Sequence, residues 1–523
     1  MNYPQLEIRR YIPYKTVFTH CLICSTAPIN AEDKYRKDLS SKDSSYSIDL
    51  IKSDLRNFIK EKWGESGEHV LDKINIVLDS HGFNVPFNSV ERSYESLLNK
   101  FQSNVKGEKN FDDFVLFINF SWPAEQIFTS QVCEWIKAMP FVLWIFIGIS
   151  IALLLANTLS WLALILVGMF LLLIFLRLVV YFRDRERATN YGVFDAVDLV
   201  RWIQVILEEI VLEECANRGQ TKEDLKHFGR ANLRFIAHSM GCFVVTNTIR
   251  ILSDVFDSHS IERWKKTAPN GPFETKPKST EDLEKDEVMQ NLGTLLRLKT
   301  LVIASPDIPI WAITSGRSNF LKSCLRRFEE AFLFTNDADL VLRLASTAAN
   351  YFVFPSNSRV GGYRLGNLTT TTKRNYGVSN LGNNALGIRA FICNFSLTDN
   401  PFNCEEDVKK LFAIVDCTDY KDQLIDQKHP KPPQRLLSAF TANNCFTNGL
   451  NYFLTAIKHF SGIWKLDSHG GYFKGEFCRD LIYSLALYGK KKTQEKSQRR
   501  GENWEQKLKD HQMAWIEAID ANE

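Results

Sequence analysis

The chain has no excess of charge of one sign. Its 64 Lys and Arg residues nearly balance its 61 Asp and Glu residues, which leaves a formal net charge of +3. Proteins that bind nucleic acid need a surface rich in positive charge, so the composition gives no argument for a nucleic-acid partner. Any signal of function must come from local motifs.

A dense cysteine framework and an apolar N-terminal leader are also missing. Eleven cysteines are scattered over 523 residues, and residues 1–15 contain no apolar core of a signal peptide. Both absences predict free thiols in a reducing compartment. Cys21 and Cys24 form a CxxC pair without a second pair or a histidine at zinc-finger spacing, which favours a buried strand end over a redox or zinc site.

Apolar runs alternate with helical patterns along most of the chain. This alternation predicts an α/β fold with a mostly parallel, doubly wound sheet. The predicted strands are 16–25, 74–78, 114–120, 233–237, 298–304, 327–334 and 411–417, the last of the sheet, and the predicted helices include 48–62, 89–101, 193–212, 242–249, 340–351 and 477–488.

The length of the chain exceeds that of one ordinary domain, but we expect one enlarged domain that carries insertions. The expected division is a first part of the domain at 1–136, an inserted segment at 137–183, a second part at 184–489 with a flexible insertion at 262–291 and an excursion at 419–465, and a charged tail at 490–523. The basic residues at 490–500 are expected to be solvated, and contact with an anionic membrane surface is the alternative.

The clearest motif is a predicted strand that runs straight into a predicted helix through a serine. The sequence AHSMG at 237–241 follows the small-x-Ser-x-Gly pattern of a nucleophile elbow. Such a turn needs small flanking residues and exposes the hydroxyl of Ser239 at a helix N-terminus. An ordinary turn in which Ser239 only caps the helix is the alternative.

A second motif, HGFN at 81–84, follows the predicted strand 74–78. In α/β hydrolases this loop supplies one backbone N–H to an oxyanion hole, and the residue after the nucleophile supplies another. The donors here would be Phe83 and Met240. His81 precedes the nucleophile in the chain, whereas the base normally follows it, so we expect His81 to be a hydrogen-bonded structural residue.

An almost wholly apolar run of about 43 residues occupies 140–182. One membrane-crossing helix needs about 20 residues, so the run is long enough for two spans, at 141–156 and 162–182. The polar sequence between them predicts the turn of a helical hairpin. A buried pair of soluble helices is the alternative, but few soluble cores contain such a run without a polar face.

Strands of one sheet are predicted on both sides of this hairpin, so the chain must cross the bilayer an even number of times. Lys137 lies on one flank, and Arg183, Arg185 and Arg187 lie on the other, whereas the turn between the spans is uncharged. By the positive-inside rule both flanks face the cytoplasm. The sequence therefore predicts a two-span membrane protein with a cytoplasmic catalytic domain.

A serine nucleophile needs a general base, which normally follows it in the chain. Four histidines come after the last predicted strand: His429, His459, His469 and His511. His469 lies on a glycine-bearing loop just before the predicted helix 477–488, where such folds place the base. The others lie beside prolines, within a helical pattern and in the charged tail, so we expect His469 to be the base.

Two aspartates at strand ends are candidates for the carboxylate that orients the base. Asp337 follows the predicted strand 327–334, and Asp307 follows the preceding strand. Either residue could instead cap a helix. We favour Asp337 as the acid, keep Asp307 as the alternative, and regard the neighbouring Asp339 as a residue to test.

Taken in order, the motifs HGFN, FSWP, AHSMG, ASPDI, TNDAD and GGYRLG resemble those of bacterial α/β hydrolases catalogued as a domain of unknown function. The similar regions are 70–123 and 184–365 and, more weakly, 411–488. The resemblance implies a serine hydrolase of the esterase or lipase type, with Ser239 as nucleophile and Asp307 or Asp337 as acid. It implies no particular substrate, and the hairpin and the excursion before His469 depart from it.

The expected function is hydrolysis of a carboxylic ester by a Ser-His-Asp triad through an acyl-enzyme. An ester or lipid substrate and a membrane bilayer are the expected partners, and no nucleic acid, metal or cofactor is expected. The alternatives are a thioesterase or amidase, and a membrane-tethered scaffold that retains an inactive hydrolase fold.

Overall fold

The computed structural model describes about half of the chain, including most of the sheet and the residues that surround Ser239. The described residues are 6–13, 18–28, 46–66, 69–83, 85, 87, 89–95, 113–124, 181–219, 228–252, 293, 295–309, 311–314, 321–342, 364–368, 411–425, 432–439, 454–455, 458 and 466–518. Nearly all of the predicted hairpin at 137–183, the insertion at 262–291 and much of the excursion at 419–465 lie outside them. None of the described helices has the length and apolar character that a membrane crossing requires.

A nine-stranded sheet forms the centre of the described part of the chain. Its strands are β1 (Leu6–Ile12), β2 (Phe18–Ser25), β3 (Ile74–Ser80), β4 (Phe114–Ser121), β5 (Ala231–His238), β6 (Leu296–Ala304), β7 (Glu330–Thr335), β8 (Ala413–Asp416) and β11 (Ala514–Ile516), and a separate pair comprises β9 (Lys421–Asp422) and β10 (Gln434–Arg435). The spatial order is β1-β2-β4-β3-β5-β6-β7-β8-β11. The strands from β2 to β8 are parallel, and β1 and β11 pair antiparallel at the edges.

Helices cover both faces of this sheet. They are α1 (Asp49–Ser66), α2 (Val193–Asn217), α3 (Met240–Ile251), α4 (Trp311–Thr314), α5 (Lys322–Leu325), α6 (Glu476–Arg499) and α7 (Trp504–Asp510), with short 3-10 turns at Val70–Lys73, Leu365–Asn367 and Gly471–Phe473. Residues 181–187 are helical and continue through a π-helical turn, Ala188–Gly192, into α2. The mixed α/β class with a mostly parallel sheet is thus confirmed.

The strands are apolar on both faces because each face packs against helices. In β3, Ile76 and Leu78 belong to the core formed with α1, α2 and α3, whereas Val77 between them belongs to the core formed with α6 and α7. Fully burying one such side chain contributes about 1.5–3 kcal/mol. The two cores hold the strands, and therefore the strand ends, in fixed relative positions.

The strand order creates a crevice at one point of the sheet. After β3 the chain passes to β4 on one side, and after β5 it passes to β6 on the other side, although β3 and β5 are neighbours. In open α/β sheets, ligands bind beyond the carboxyl ends of the strands at such a switch point. The loop after β3 and the turn at Ser239 both lie there.

Most predicted elements are confirmed with shifted ends, but both sheet edges differ from the prediction. The strand β1 was not expected, and β11 follows the strand that was predicted to be the last. The charged tail expected at 490–523 is folded in its described residues: α6 continues to Arg499, and Trp504, Leu508 and Met513 are buried. The basic side chains at 490–500 are exposed or half-buried. Apolar residues spaced among many charges let this segment pack on the sheet.

Candidate active site

Ser239 lies at the sharp turn between β5 and α3. Its backbone has φ 55° and ψ −122°, a conformation that costs a non-glycine residue about 1–3 kcal/mol. Two backbone hydrogen bonds hold Ser239 in this strained conformation: the Ser239 N–H donates to the Ala304 carbonyl at 3.0 Å, and the Asp307 N–H donates to the Ser239 carbonyl at 3.2 Å. The turn therefore has the strained geometry of a nucleophile elbow.

Glycines allow the loop after β3 to lie directly against this turn. A Cβ atom on Gly241 would be 2.3 Å from the Ser80 carbonyl oxygen and 2.5 Å from that of His81. A Cβ atom on Gly82 would be 2.8 Å from the Cβ of Ser239. Only glycine fits at these two contacts, so the loop 80–83 borders the serine.

His469 lies beside the serine, as predicted. The Ser239 hydroxyl donates to Nε2 of His469 at 2.7 Å. The loop that carries the imidazole is fixed by Asp467, whose Oδ1 accepts from the N–H groups of His469 at 3.1 Å and Gly470 at 2.8 Å. A serine and a histidine 230 residues apart in the chain are thus brought into hydrogen-bonding contact.

The carboxylate beside this histidine is Asp339, which corrects the assignment to Asp337 or Asp307. Nδ1 of His469 donates to Oδ2 of Asp339 at 2.7 Å, and the Asp339 side chain is fully buried. The same oxygen accepts from the hydroxyl of Ser305. Oδ1 of Asp339 accepts from the N–H groups of Val341 at 3.0 Å and Leu342 at 3.1 Å. Both carboxylate oxygens therefore have fixed partners.

The other two aspartates have different partners. The Asp337 N–H donates to the hydroxyl of Thr418 at 2.9 Å. Oδ1 of Asp307 lies 3.1 Å from Nε of Arg364 in a buried ion pair. Of the three aspartates considered from the sequence, only Asp339 contacts the imidazole of His469.

The turn after β7 explains this two-residue difference. Asn336 folds back to accept the Ala338 N–H at 2.9 Å, and its own N–H donates to the Gly366 carbonyl at 2.9 Å. Nδ2 of Asn367 donates to the carbonyls of Asn336 and Asp339, both at 3.2 Å. Because of this tight turn, the residue that caps the N–H groups of Val341 and Leu342 is Asp339 and not Asp337. The carboxylate that faces His469 is therefore also that of Asp339.

Sequence reasoning missed His238, the residue before the nucleophile. Its Nε2 donates to the backbone carbonyl of His469 at 3.0 Å, and the two rings are 4.8 Å apart. Burial lowers the pKa of His238 to about 4, so the ring supports the loop of the base without adding charge at neutral pH. Its position within AHSMG, beside the serine, was the available signal.

Opposing influences act on His469. Burial lowers its pKa, but the negative charge of Asp339 and the hydrogen bond to it raise the pKa by more, with smaller contributions from Asp467 and Asp307. The net pKa lies above the ordinary value of 6.5. The carboxylate thus makes the imidazole a stronger base than an isolated histidine.

The two residues expected to supply oxyanion donors, Phe83 and Met240, both lie close to Ser239. Met240 is the first residue of α3, where backbone N–H groups have no intrahelical acceptor. Phe83 follows the glycine that contacts Ser239, and its ring is 6.2 Å from that of His469. His81 has the expected structural role: its Nδ1 lies 2.8 Å from the Gly82 carbonyl, and its ring stacks on Trp122 at 5.1 Å.

The remaining candidates lie away from the site or outside the described residues. His511 stacks on Phe477 and donates to the Lys421 carbonyl, whereas His429 and His459 are outside the described residues. Cys21 and Cys24 are buried in β2 as free thiols, which confirms their interpretation as part of a strand. In the described part of the chain, no group of three or more His, Cys, Asp or Glu side chains is placed to hold a metal ion.

The site therefore consists of a strained serine, an imidazole and a buried carboxylate in one hydrogen-bonded line. Comparisons of the chain with protein-family models, with curated proteins and with solved structures found no match, so a functional assignment depends on the geometry of this site.

Proposed function

We propose that the chain is a serine hydrolase with an α/β-hydrolase fold that cleaves carboxylic esters. The observation that carries this proposal is the line from Asp339 through His469 to Ser239, with 2.7 Å at each step. Its position at the switch point of a mostly parallel sheet supports the same conclusion. Serine, imidazole and carboxylate in this order are the parts that acyl transfer requires.

The first chemical step would form an acyl-enzyme. Nδ1 of His469 carries the proton that is donated to Asp339, so Nε2 is free to accept the proton of Ser239. Oγ of Ser239 attacks the ester carbonyl, and the tetrahedral intermediate collapses as the carbon–oxygen bond to the alcohol breaks. The departing alcohol takes the proton from Nε2, and the acyl group stays on Ser239.

The second step would release the acid. A water molecule attacks the acyl-enzyme while Nε2 of His469 takes one of its protons. The bond to Oγ then breaks, Ser239 recovers a proton from the imidazole, and a carboxylic acid leaves. The N–H groups of Phe83 and Met240 would hold the oxyanion in both steps, and the loss of one such donor typically costs about 3 kcal/mol.

We also propose that the apolar residues 141–180 anchor the domain in a membrane as a two-span hairpin, with the catalytic domain on the cytoplasmic side. The second span, predicted at 162–182, must end before Tyr181, because Tyr181 and Phe182 pack in the core of the domain. The support is the sequence itself: residues 141–180 contain a single charged side chain, Arg177, which is typical of membrane spans. Basic residues flank the run, and the turn within it is uncharged.

A fluorophosphonate probe tests the hydrolase proposal directly, because it reacts with serines that a neighbouring base activates. The full-length protein should be labelled, and Ser239→Ala should lose both labelling and the hydrolysis of a short soluble ester such as p-nitrophenyl butyrate. Ser25→Ala serves as a control for the loss of a buried serine away from the triad, because Ser25 lies in β2 and its hydroxyl accepts from the Ala27 N–H. This variant should still be labelled.

The alternative activities predict different results. A scaffold with an inactive hydrolase fold would leave the native protein unlabelled. A thioesterase or amidase would be labelled at Ser239 but would prefer acyl thioesters or amides over matched oxygen esters in a substrate panel. Absence of labelling in correctly folded protein would refute the proposed function.

A further inference from the structure

Two aromatic side chains cover the outer side of the loop 80–83, the loop that borders Ser239. The indole of Trp122 stacks on the ring of His81 and donates to the His81 carbonyl at 2.9 Å. The ring of Tyr181 packs edge-on against Phe83 at 6.0 Å. Both aromatic residues are at most 2% exposed, so they are fixed parts of the site wall.

Tyr181 is joined directly to the apolar run of the sequence. Residues 141–180 precede it and contain one charged side chain, Arg177. Tyr181 lies in a helical stretch that continues through Gly192 into α2, and a Cβ atom on Gly192 would be 3.2 Å from the Cβ of Trp122. The end of the apolar run is therefore one residue away from a side chain that packs against the loop 80–83.

The attachment at Tyr181 also reaches the catalytic turn from a second side. Its hydroxyl accepts from Arg364 at 3.4 Å, and Arg364 is paired with Asp307. The Asp307 N–H in turn donates to the carbonyl of Ser239. One short chain of contacts thus connects the end of the apolar run to the nucleophile.

The apolar run has the length and composition of two membrane spans. If it lies in a bilayer, the residue that follows it lies at the membrane surface.

We infer that the active site opens at the membrane surface and that its substrate is an ester-bearing lipid drawn from the bilayer. This inference rests on the proposed hydrolase function and on the proposed membrane hairpin. Because Tyr181 is packed in the domain core, the second span must end before it, which places Tyr181 at the membrane boundary. The interfacial layer in which apolar groups meet headgroups is only about 5–10 Å deep. Acyl ester groups of membrane lipids lie at that boundary. Hydrolysis would break the acyl–oxygen bond with water and release a fatty acid and a lipid alcohol.

The position of the site can be measured without knowing the substrate. A fluorophosphonate that carries an environment-sensitive NBD group would be attached to Ser239 of the full-length protein in phosphatidylcholine–phosphatidylglycerol vesicles. A nitroxide on the lipid headgroup should cause on the order of a twofold loss of NBD emission, because the label lies within the interfacial layer. The Ser239→Ala variant, treated identically, supplies the background.

The substrate class is tested in the same preparation. Fatty-acid release would be measured from phosphatidylglycerol, phosphatidylethanolamine, a lysophospholipid and diacylglycerol, beside turnover of p-nitrophenyl butyrate. We expect release from at least one lipid, and none from the Ser239→Ala variant.

The outcomes separate the two proposals. Labelling with soluble-ester turnover, but without headgroup quenching or without release from any of the four lipids, overturns the lipid inference and leaves the hydrolase proposal standing. Absence of both labelling and soluble-ester turnover overturns the hydrolase proposal and the lipid inference with it.

Discussion

At the scale of single residues, one carboxylate determines how His469 is held. Oδ2 of Asp339 accepts from the imidazole and from Ser305, while Oδ1 accepts two backbone N–H groups. An acid with both oxygens fixed selects the tautomer that leaves Nε2 free for the serine. Asp337, two residues earlier, has no such contact with the imidazole. Substitution of Asp337 is therefore a matched control for substitution of Asp339.

We expect Asp339→Asn to lower kcat/KM for a soluble ester by about 10³–10⁴-fold, because an amide at this position favours the wrong imidazole tautomer. Asp337→Asn should change kcat/KM by less than about 10-fold, since Asp337 contacts Thr418 through its backbone N–H, which the substitution keeps. Steady-state kinetics on both variants, with circular dichroism to verify folding, decides between them. Equal losses would return Asp337 to the triad.

The same carboxylate sets the pH dependence of activity. The base must be neutral to accept the proton of Ser239, so kcat/KM rises with pH through the pKa of free His469. Because Asp339 raises that pKa above 6.5, the acid limb should have its midpoint above pH 6.5. The residual activity of Asp339→Asn should show the midpoint at lower pH, since burial is then opposed only by the smaller contributions of Asp467 and Asp307 to the pKa of His469. Profiles with the same midpoint would contradict the assigned influence of Asp339.

The contact between Ser239 and His469 could be predicted from the sequence because each residue stands in a short local pattern. Ser239 is enclosed by small residues, and His469 lies on a loop before an apolar helix pattern. The acid could not be predicted to the residue. Its position depends on contacts of Asn336 and Asn367 that join segments separated by about thirty residues, and no local pattern reports them.

At the scale of elements, the site depends on close contact between the loop after β3 and the start of α3. The contact is made through backbone atoms, since the carbonyls of Ser80 and His81 would meet any Cβ atom on Gly241. Backbone carbonyls in a loop wedged between strand ends cannot move as a flexible side chain tip can. The loop after β3 and the start of α3 can therefore lie this close only because Gly241 has no Cβ atom.

We expect Gly241→Ala to reduce the free energy of unfolding by about 2–4 kcal/mol, because the added Cβ would overlap backbone atoms at 2.3 and 2.5 Å. Gly219→Ala is the control: it has φ 68° and no atom within 4 Å of the added Cβ, so its cost should be the backbone strain alone, about 1 kcal/mol. Urea unfolding of both variants measures the difference. Equal stabilities would show that the loop can retreat from the turn.

The interior elements could be predicted because their apolar runs and helical periodicities are long and uninterrupted. The edges could not. The strand β1 (LEIRRYI) contains Glu7 and two adjacent arginines, which interrupt the alternation of apolar and polar residues, and β11 is only three residues long. Both are strands because a neighbour offers free backbone groups to pair with, which depends on the assembled sheet and not on the local sequence.

At the scale of the whole molecule, a buried polar network crosses three adjacent strands on the α6 side of the sheet. Asp79 of β3 accepts from Asn119 of β4 and from Tyr483 of α6, both at 3.3 Å. Nε2 of His20 in β2 lies 2.5 Å from Oδ1 of the same asparagine. Asp79 immediately precedes the loop 80–83, so the network underlies the wall of the active site.

Burial dominates the charge state of this network. It raises the pKa of Asp79 to about 7 and lowers that of His20 to about 3. Near neutral pH the histidine is therefore neutral, and the carboxyl group is close to the midpoint of its titration. The folded domain consequently binds a proton at Asp79 that the unfolded chain, with an ordinary pKa of 3.8, has already released.

Asp79→Asn should reveal this linkage as a difference in stability that grows with pH. The favourable contribution of protonated Asp79 is fully present below pH 3.8 and is lost as the pH rises towards 7, at about 1.4 kcal/mol per pH unit. Asparagine keeps an acceptor for Asn119 and Tyr483 but does not titrate. The variant should therefore gain stability relative to the native protein between pH 4 and 7, and the gain should level off above pH 7.

Urea unfolding at pH 5, 6, 7 and 8 measures the free energy of unfolding of both proteins. The contributions of all other titrating groups cancel when the two free energies are subtracted. A constant difference across this range would mean that Asp79 is ionised in the folded state and that the network holds a charge beneath the active site.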